Sequence, residues 1–245
     1  MKATTQMQAR LLELQDLDTR LNQLDHKMRS LPELTDIARL EAQEGGLQSE
    51  VVRTETAVGD LQRVVRRAEA AVQQVRDRVT RDESRLAVGT GTAKSLQGLQ
   101  SELESLARRQ GVLEDEQLEV MERVEAAESE AAVASAARDE HLARLTQLRT
   151  ARDAQLAELT SERDGVASGR DAIAADLSEE LLALYERVRA HSGMGAAALV
   201  QRRCGACRLE LNAVEVGRIR SALEDEVVRC EECGRILVRT QESGL

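Results

Sequence analysis

Hydrophobic residues in the first part of the chain recur in alternating steps of three and four. They are Met7, Leu14, Leu17, Leu21, Leu24, Met28 and Leu31. This spacing places one apolar stripe along a helix and is typical of a coiled-coil seam. Pro32 interrupts the stripe, because proline lacks a backbone N–H and clashes with the preceding turn. The pattern therefore predicts a helix that kinks near residue 32.

A second apolar stripe runs over residues 37–86, and a third over residues 96–159. Between them lies Val88-Gly-Thr-Gly-Thr92, and two glycines among threonines indicate a turn. Two long helices joined by a short turn fold back on each other. The sequence therefore predicts a mainly α protein, with a long antiparallel coiled-coil hairpin over residues 1–170 and a turn near residues 88–93. A seam of this kind can be satisfied within one chain or by a second copy.

Gly165 and Gly169 predict a second break, which would allow the parts on either side to change their angle. A connecting helix over residues 171–192 should follow and pack at the hairpin base. An apolar groove between this helix and the base would then be lined by residues such as Leu14, Leu17, Leu177 and Leu181. The groove suits a partner helix, unless these residues pack only on each other.

The C-terminal part, residues 193–245, contains all four cysteines in two C-x-x-C pairs: Cys204, Cys207, Cys230 and Cys233. Two such pairs facing each other can hold zinc tetrahedrally through four thiolates. The alternatives are a redox dithiol pair, which belongs beside a βαβ pattern that is missing here, or two disulfides, which need an oxidising compartment. The pairs predict a small C-terminal β zinc ribbon with one structural Zn²⁺.

Local signals around the cysteines predict the elements of this ribbon. Strands should lie at residues 198–203, 227–229 and 235–239, and Asn212 with Glu215 forms the pattern of a capping box that starts a short helix. Gly234 after the second pair suits a turn with positive φ. Arg208 stands at the equivalent place after the first pair, so we expect that turn to be less regular.

Four protein ligands leave zinc no open position for water or substrate, which favours a structural role over a catalytic one. No phosphate loop or catalytic triad pattern is present, and the histidines, His26, His141 and His191, are isolated in the sequence. We therefore expect a protein that is not an enzyme and has no small-molecule substrate.

Composition adds constraints on shape and location. The chain has no Phe or Trp and a single Tyr, so its helices must pack through Leu, Val and Ala. A net charge of −10 disfavours coating nucleic acid by bulk electrostatics. No apolar run is long enough for a bilayer, and clustered thiols fit a reducing compartment. We expect a cytoplasmic protein with no membrane partner.

Arginines flank the zinc turns and are candidate contacts to nucleic acid or to a protein partner, because guanidinium groups pair well with phosphate and carboxylate. They are Arg202, Arg203, Arg208, Arg229, Arg235 and Arg239. Residues 199–245 hold as many acids as arginines, however, and offer no aromatic ring for base stacking. A protein partner is therefore the favoured interpretation, and nucleic acid is the alternative.

Together these motifs resemble the bacterial coiled-coil plus four-cysteine zinc-ribbon protein family. The resemblance rests on the lysine-containing tip Thr92-Ala-Lys-Ser-Leu-Gln-Gly-Leu99, on Leu182-x-x-Tyr185-Glu186-Arg187-Val188, and on Cys230-x-x-Cys233-Gly234-Arg235-Ile236-Leu237. It implies a regulatory adaptor or chaperone, with links to nucleic-acid binding and to the control of transcription, flagella or secretion through partners such as an alternative sigma factor.

Overall fold

The computed structural model describes residues 1–245, and the protein is mainly helical. Its helices are α1 (Thr5–Arg29), α2 (Pro32–Val88), α3 (Ala93–Ala175), α4 (Glu179–Ser192) and α5 (Ala213–Ser221). Its strands are β1 (Ala196–Val200), β2 (Arg203–Cys204), β3 (Val228–Arg229) and β4 (Ile236–Val238), followed by a 3₁₀ turn at Gln241–Ser243. The predicted class, a long helical hairpin followed by a small β zinc ribbon, is confirmed. The chain divides into two compact units, Thr35–Arg149 and Met1–Leu34 with Thr150–Leu245.

The Thr35–Arg149 unit consists of antiparallel segments of α2 and α3, joined by a turn between Val88 and Ala93. Ile37 and Leu40 bury themselves against Leu145, as the apolar stripes require. Ion pairs such as Arg149–Glu41 (2.6 Å) and Arg76–Glu114 (2.6 Å) link the two segments along their length. These pairs are exposed and therefore add little stability to the hairpin, because surface ion pairs contribute little.

In the other unit, α1 packs along the last part of α3. Leu24 and Leu31 form a buried cluster with Leu159, and Arg163 donates to Asp25 at 2.8 Å. Helix α1 ends at Arg29, and Pro32 is the first residue of α2, where a missing N–H costs nothing. Proline therefore separates the two helices at the point that the sequence indicates.

The predicted break at residues 165–169 is wrong, and so is the hinge inferred from it. Helix α3 continues through Gly165 and Gly169 to Ala175, and the real break lies between Ala175 and Glu179. An internal glycine costs a helix only about 1 kcal/mol, which neighbouring packing can offset. Here Val166 packs against the cluster of Leu24. The connecting helix α4 is consequently shorter than expected and is capped by Gly193, which has a φ of 77°.

A four-stranded sheet of order β2-β1-β4-β3 lies between two helical layers. Strands β1 and β4 pair in parallel, and the outer strands pair antiparallel to them. Because side chains alternate along a strand, Ile236 and Val238 face the buried cluster of α1 and α4, while Leu237 joins the cluster of α5 and the cysteines. The predicted apolar groove is therefore filled by this chain: Leu14 and Leu181 are fully buried under the sheet.

Candidate metal centre

The four cysteine sulfurs lie within 4.8 Å of one another. The distance between Sγ of Cys204 and Sγ of Cys233 is 3.8 Å, and that between Cys207 and Cys230 is 3.9 Å. A tetrahedral site with Zn–S bonds of about 2.3 Å requires sulfurs about 3.8 Å apart. A disulfide needs about 2.05 Å instead, and all four cysteines are free. These residues therefore fit one structural Zn²⁺ with four sulfur ligands.

Two turns with the same hydrogen-bonding pattern present these sulfurs. In the first, the Cys204 amide donates to Leu209 O (3.0 Å) and the Arg208 amide to Cys204 O (2.8 Å). In the second, the Cys230 amide donates to Arg235 O (3.0 Å) and the Gly234 amide to Cys230 O (2.9 Å). Both turns close on a left-handed residue: φ is 64° at Arg208 and 72° at Gly234. The expectation of a less regular first turn is wrong, because Arg208 accepts the strained conformation.

Each turn is also held by a hydrogen bond to a different kind of acceptor. The Gly205 amide donates to the backbone oxygen of Ala198 at 2.9 Å. At the equivalent position of the second turn, the Glu231 amide donates to the carboxylate of Glu215 at 3.0 Å. Only half of the predicted capping box forms. Asn212 accepts a hydrogen bond from the Glu215 amide, but the Glu215 side chain does not bond back to Asn212. It is 2% exposed and turns to the metal centre instead. The sequence pattern gave no sign of this second role.

The surroundings of Cys204, Cys230 and Cys233 shift the pKa values of their thiols in different directions. Burial raises the pKa of the Cys204 thiol, and it raises the pKa of Cys230 to about 12. Burial acts in the same direction on Cys233, but hydrogen bonds involving Arg235 and the neighbouring thiols outweigh it and lower that pKa to about 7. Zinc must therefore displace protons from Cys204 and Cys230, whose burial otherwise favours the neutral thiol.

The six candidate arginines have different roles. Arg239 donates to the backbone oxygens of Ala222, Leu223, Glu224 and Glu226, which fixes the loop before β3. Arg235 donates to Ser192 O at 2.7 Å, and its buried Nε has no partner. These two arginines hold the fold together, a role that sequence could not reveal because their carbonyl partners are distant along the chain.

The remaining four arginines are exposed. Arg202 donates to Gly244 O (2.8 Å) and Arg229 to Gly234 O (2.7 Å), while Arg203 pairs with Glu210 at 3.1 Å. The Arg208 guanidinium makes no hydrogen bond or ion pair within the chain. The structure therefore does not gather the six arginines into one cationic surface with free guanidinium groups.

A buried polar network, missed by sequence reasoning, anchors the ribbon sheet to the helices. The Tyr185 hydroxyl donates to Asp18 at 2.7 Å, and the Gly195 amide donates to Gln15 Oε1 at 2.7 Å. Asp18 is fully buried and also accepts from Arg170 at 2.8 Å. Burial and the Asp18 carboxylate both raise the pKa of Tyr185 above its usual value. The one signal for this network in the sequence was that Tyr185 is the single aromatic residue of the chain.

Comparison with known proteins agrees with this architecture. Residues 14–193 match the family described as the CT398-like coiled coil hairpin domain, and residues 203–237 match the C4-type zinc ribbon domain. An uncharacterized protein of Mycobacterium tuberculosis (strain H37Rv) is 42% identical over 241 residues, which are 98% of each chain. No helix of the present protein is both long and apolar enough to cross a membrane.

Solved structures show the same fold. One from Mycobacterium smegmatis shares 40% identity with a TM-score of 0.80, covering 98% of this chain and 100% of that one. CT398 from Chlamydia trachomatis shares 18% identity with a TM-score of 0.60, covering 96% of this chain and 98% of that one, which is a likeness of fold alone. The chain therefore belongs to the family of CT398-like coiled-coil hairpin proteins that carry a C4-type zinc ribbon.

Proposed function

We propose that this protein is a non-enzymatic adaptor or chaperone that binds a protein partner. The family resemblance supports a role for such an adaptor in the regulation of transcription, secretion or motility, and we propose that it acts in the cytoplasm. The four-sulfur zinc site supports the non-enzymatic part, because zinc with four protein ligands has no position for a substrate.

The observation that carries the proposal is the exposure of three large apolar side chains on the ribbon. Val214 is 83% exposed, Leu223 is 62% exposed and Leu209 is 51% exposed, although the ribbon is small. Scattered apolar side chains are ordinary on large surfaces, but several on one small domain favour contact with a protein. Arg235 and Arg239 are meanwhile bonded to the chain's own backbone, which leaves fewer cations for phosphate.

Nucleic-acid binding through the ribbon is the second candidate. Exposed Arg203 and Arg208 favour it, since phosphate contacts need accessible guanidinium groups. Four thiolates and one Zn²⁺ oppose it with a net double negative charge. The two candidates differ in their dependence on salt, because only phosphate binding releases many counterions.

Two variants separate the candidates. Leu209→Asp with Val214→Asp should abolish capture of a partner from lysate at high salt, while Val133→Asp, an equally exposed change on α3, should not. Arg203→Glu with Arg208→Glu should leave that capture intact. Binding of random oligonucleotides that is steeply weakened by salt, and lost in the arginine variant while the apolar variant keeps it, would contradict the adaptor proposal.

A further inference from the structure

A pocket of about 240 Å³ lies between α4 and the second zinc turn. Helix α4 contributes Leu184, Arg187, Val188 and His191, spaced so that they share one face. The rest of the lining is formed by Ser192, Arg229 of β3 and the Cys233-Gly234 end of the zinc turn. The pocket thus has an apolar floor, formed by Leu184 and Val188, with basic side chains around it, and it lies beside the metal centre.

Its charged lining is entirely basic, in a chain with a net charge of −10. The side chains of Arg187 and His191 are exposed and make no hydrogen bond or ion pair within the chain, unlike that of the neighbouring Arg189, which pairs with Asp18 and Glu186. Arg229 uses its Nε to bond Gly234 O, which leaves its terminal nitrogens for a ligand. Imidazole offers at least one N–H donor in either charge state, so His191 can serve as a donor at neutral pH.

We infer that this pocket binds an acidic side chain of a protein partner, flanked by aliphatic side chains. A carboxylate can accept from guanidinium groups in a two-pronged geometry, and Leu184 with Val188 can receive the neighbouring aliphatic groups. A bare phosphate would leave that apolar floor uncovered. The inference rests on the proposed function, since it names the chemistry by which the adaptor anchors its partner.

The zinc centre opposes this ligand. Cys233 lines the pocket, and a tetrathiolate zinc site carries a net double negative charge. The arginines must outweigh that charge for an anion to bind, so removing one of them should have a large effect. Arg187 is the sharpest choice, because it makes no contact that the fold needs.

The test uses the full zinc-loaded chain, and NMR follows the ring signals of its three histidines. The His191→Gln variant identifies which of these signals belongs to His191. The probe is acetyl-Leu-Glu-Leu-amide, with acetyl-Leu-Gln-Leu-amide as the neutral match and inorganic phosphate as a third arm. The acidic peptide should move the His191 signal and leave His26 and His141 in place. Arg187→Gln should weaken this binding about tenfold, while Arg220→Gln, an exposed change outside the pocket, should not.

Equal binding of the acidic and neutral peptides, or a His191 signal that only phosphate moves, would overturn the inference. The second result would point to a nucleic-acid ligand instead. Failure here and failure of the adaptor proposal are distinguishable. If the unchanged chain does not bind the acidic peptide, and Arg187→Gln captures the partner as well as the unchanged chain does, the pocket is refuted and the adaptor proposal stands.

Discussion

The two zinc turns reach the same backbone geometry with different residues. Each closes on a left-handed residue, which is Arg208 in the first turn and Gly234 in the second. Each also directs the amide after its first cysteine to an acceptor, which is the Ala198 carbonyl for Gly205 and the Glu215 carboxylate for Glu231. Every turn has one glycine, but at a different position.

This difference shows what each glycine is for. In the second turn glycine relieves the left-handed strain, and the Glu231 side chain is tolerated because its acceptor is a flexible carboxylate. In the first turn the acceptor is rigid backbone, and a Cβ on Gly205 would lie 2.7 Å from Ala198 O. The first turn therefore needs its glycine for space and accepts strain at Arg208, which costs about 1–2 kcal/mol.

Replacing a cysteine should have the largest effect, because both turns depend on the same metal site. We expect Cys204→Ser and Cys230→Ser to lose zinc and unfold the ribbon equally, because zinc contributes on the order of 10 kcal/mol to folding in small zinc domains. The Thr35–Arg149 unit should keep its helices, since it has its own buried cluster. Zinc content and far-UV circular dichroism measure both effects. A loss of most helical signal would show that the helices depend on the ribbon.

Gly205→Ala should cost about 1–3 kcal/mol, because the new methyl group meets backbone that cannot move away freely. Gly217→Ala on α5 is the matched control, since nothing lies within 4 Å of its Cβ position. It should stabilise the ribbon by about 0.5–1 kcal/mol through helix propensity. Thermal unfolding of the zinc-loaded protein compares the two. Equal effects would mean that the Ala198 contact does not constrain the first turn.

Glu215→Ala should destabilise the second turn by about 1–3 kcal/mol, since it leaves the Glu231 amide without its acceptor. Glu215→Gln keeps an acceptor oxygen and should recover most of this loss. The exposed Glu210→Gln serves as control in the first turn. Zinc retention against a chelator reports the effect on the site. If Ala and Gln behaved alike, the carboxylate's hydrogen bond would not be what supports the turn.

Arg208→Gly should have the smallest effect and the opposite sign. Glycine removes the left-handed strain but also gives the unfolded chain more freedom, so the net gain should be within about 1 kcal/mol. Gly234→Ala introduces the strain in the second turn and should destabilise it by about 1–2 kcal/mol. Chemical denaturation resolves changes of this size. A loss of stability in Arg208→Gly would show that the arginine side chain has a role of its own.

Local patterns in the sequence predicted the elements well. The apolar stripes predicted the long helices, Pro32 the separation of α1 from α2, and the C-x-x-C spacing the zinc site. Two of their failures share one cause, which is contact between distant residues. Val166 and its neighbours carry α3 through two glycines, and the sheet fills the groove that Leu14 and Leu181 would otherwise line.

The same limit applied around the metal centre. Nothing local indicates that Glu215 supports the second turn or that Arg239 binds four carbonyls of the preceding loop. The ligand set itself was predictable because zinc imposes residue type and spacing together. Residues whose partners are backbone atoms far along the chain leave no such signature.

Zinc K-edge X-ray absorption tests the closed four-sulfur site most directly, because it counts the ligands and identifies their atoms. We expect one zinc per chain with four sulfurs at about 2.3 Å and no oxygen or nitrogen ligand. That result would agree with a structural metal and a protein that acts by binding. Three sulfurs and one oxygen would contradict the account, since an open position would give the zinc the coordination of a catalytic site.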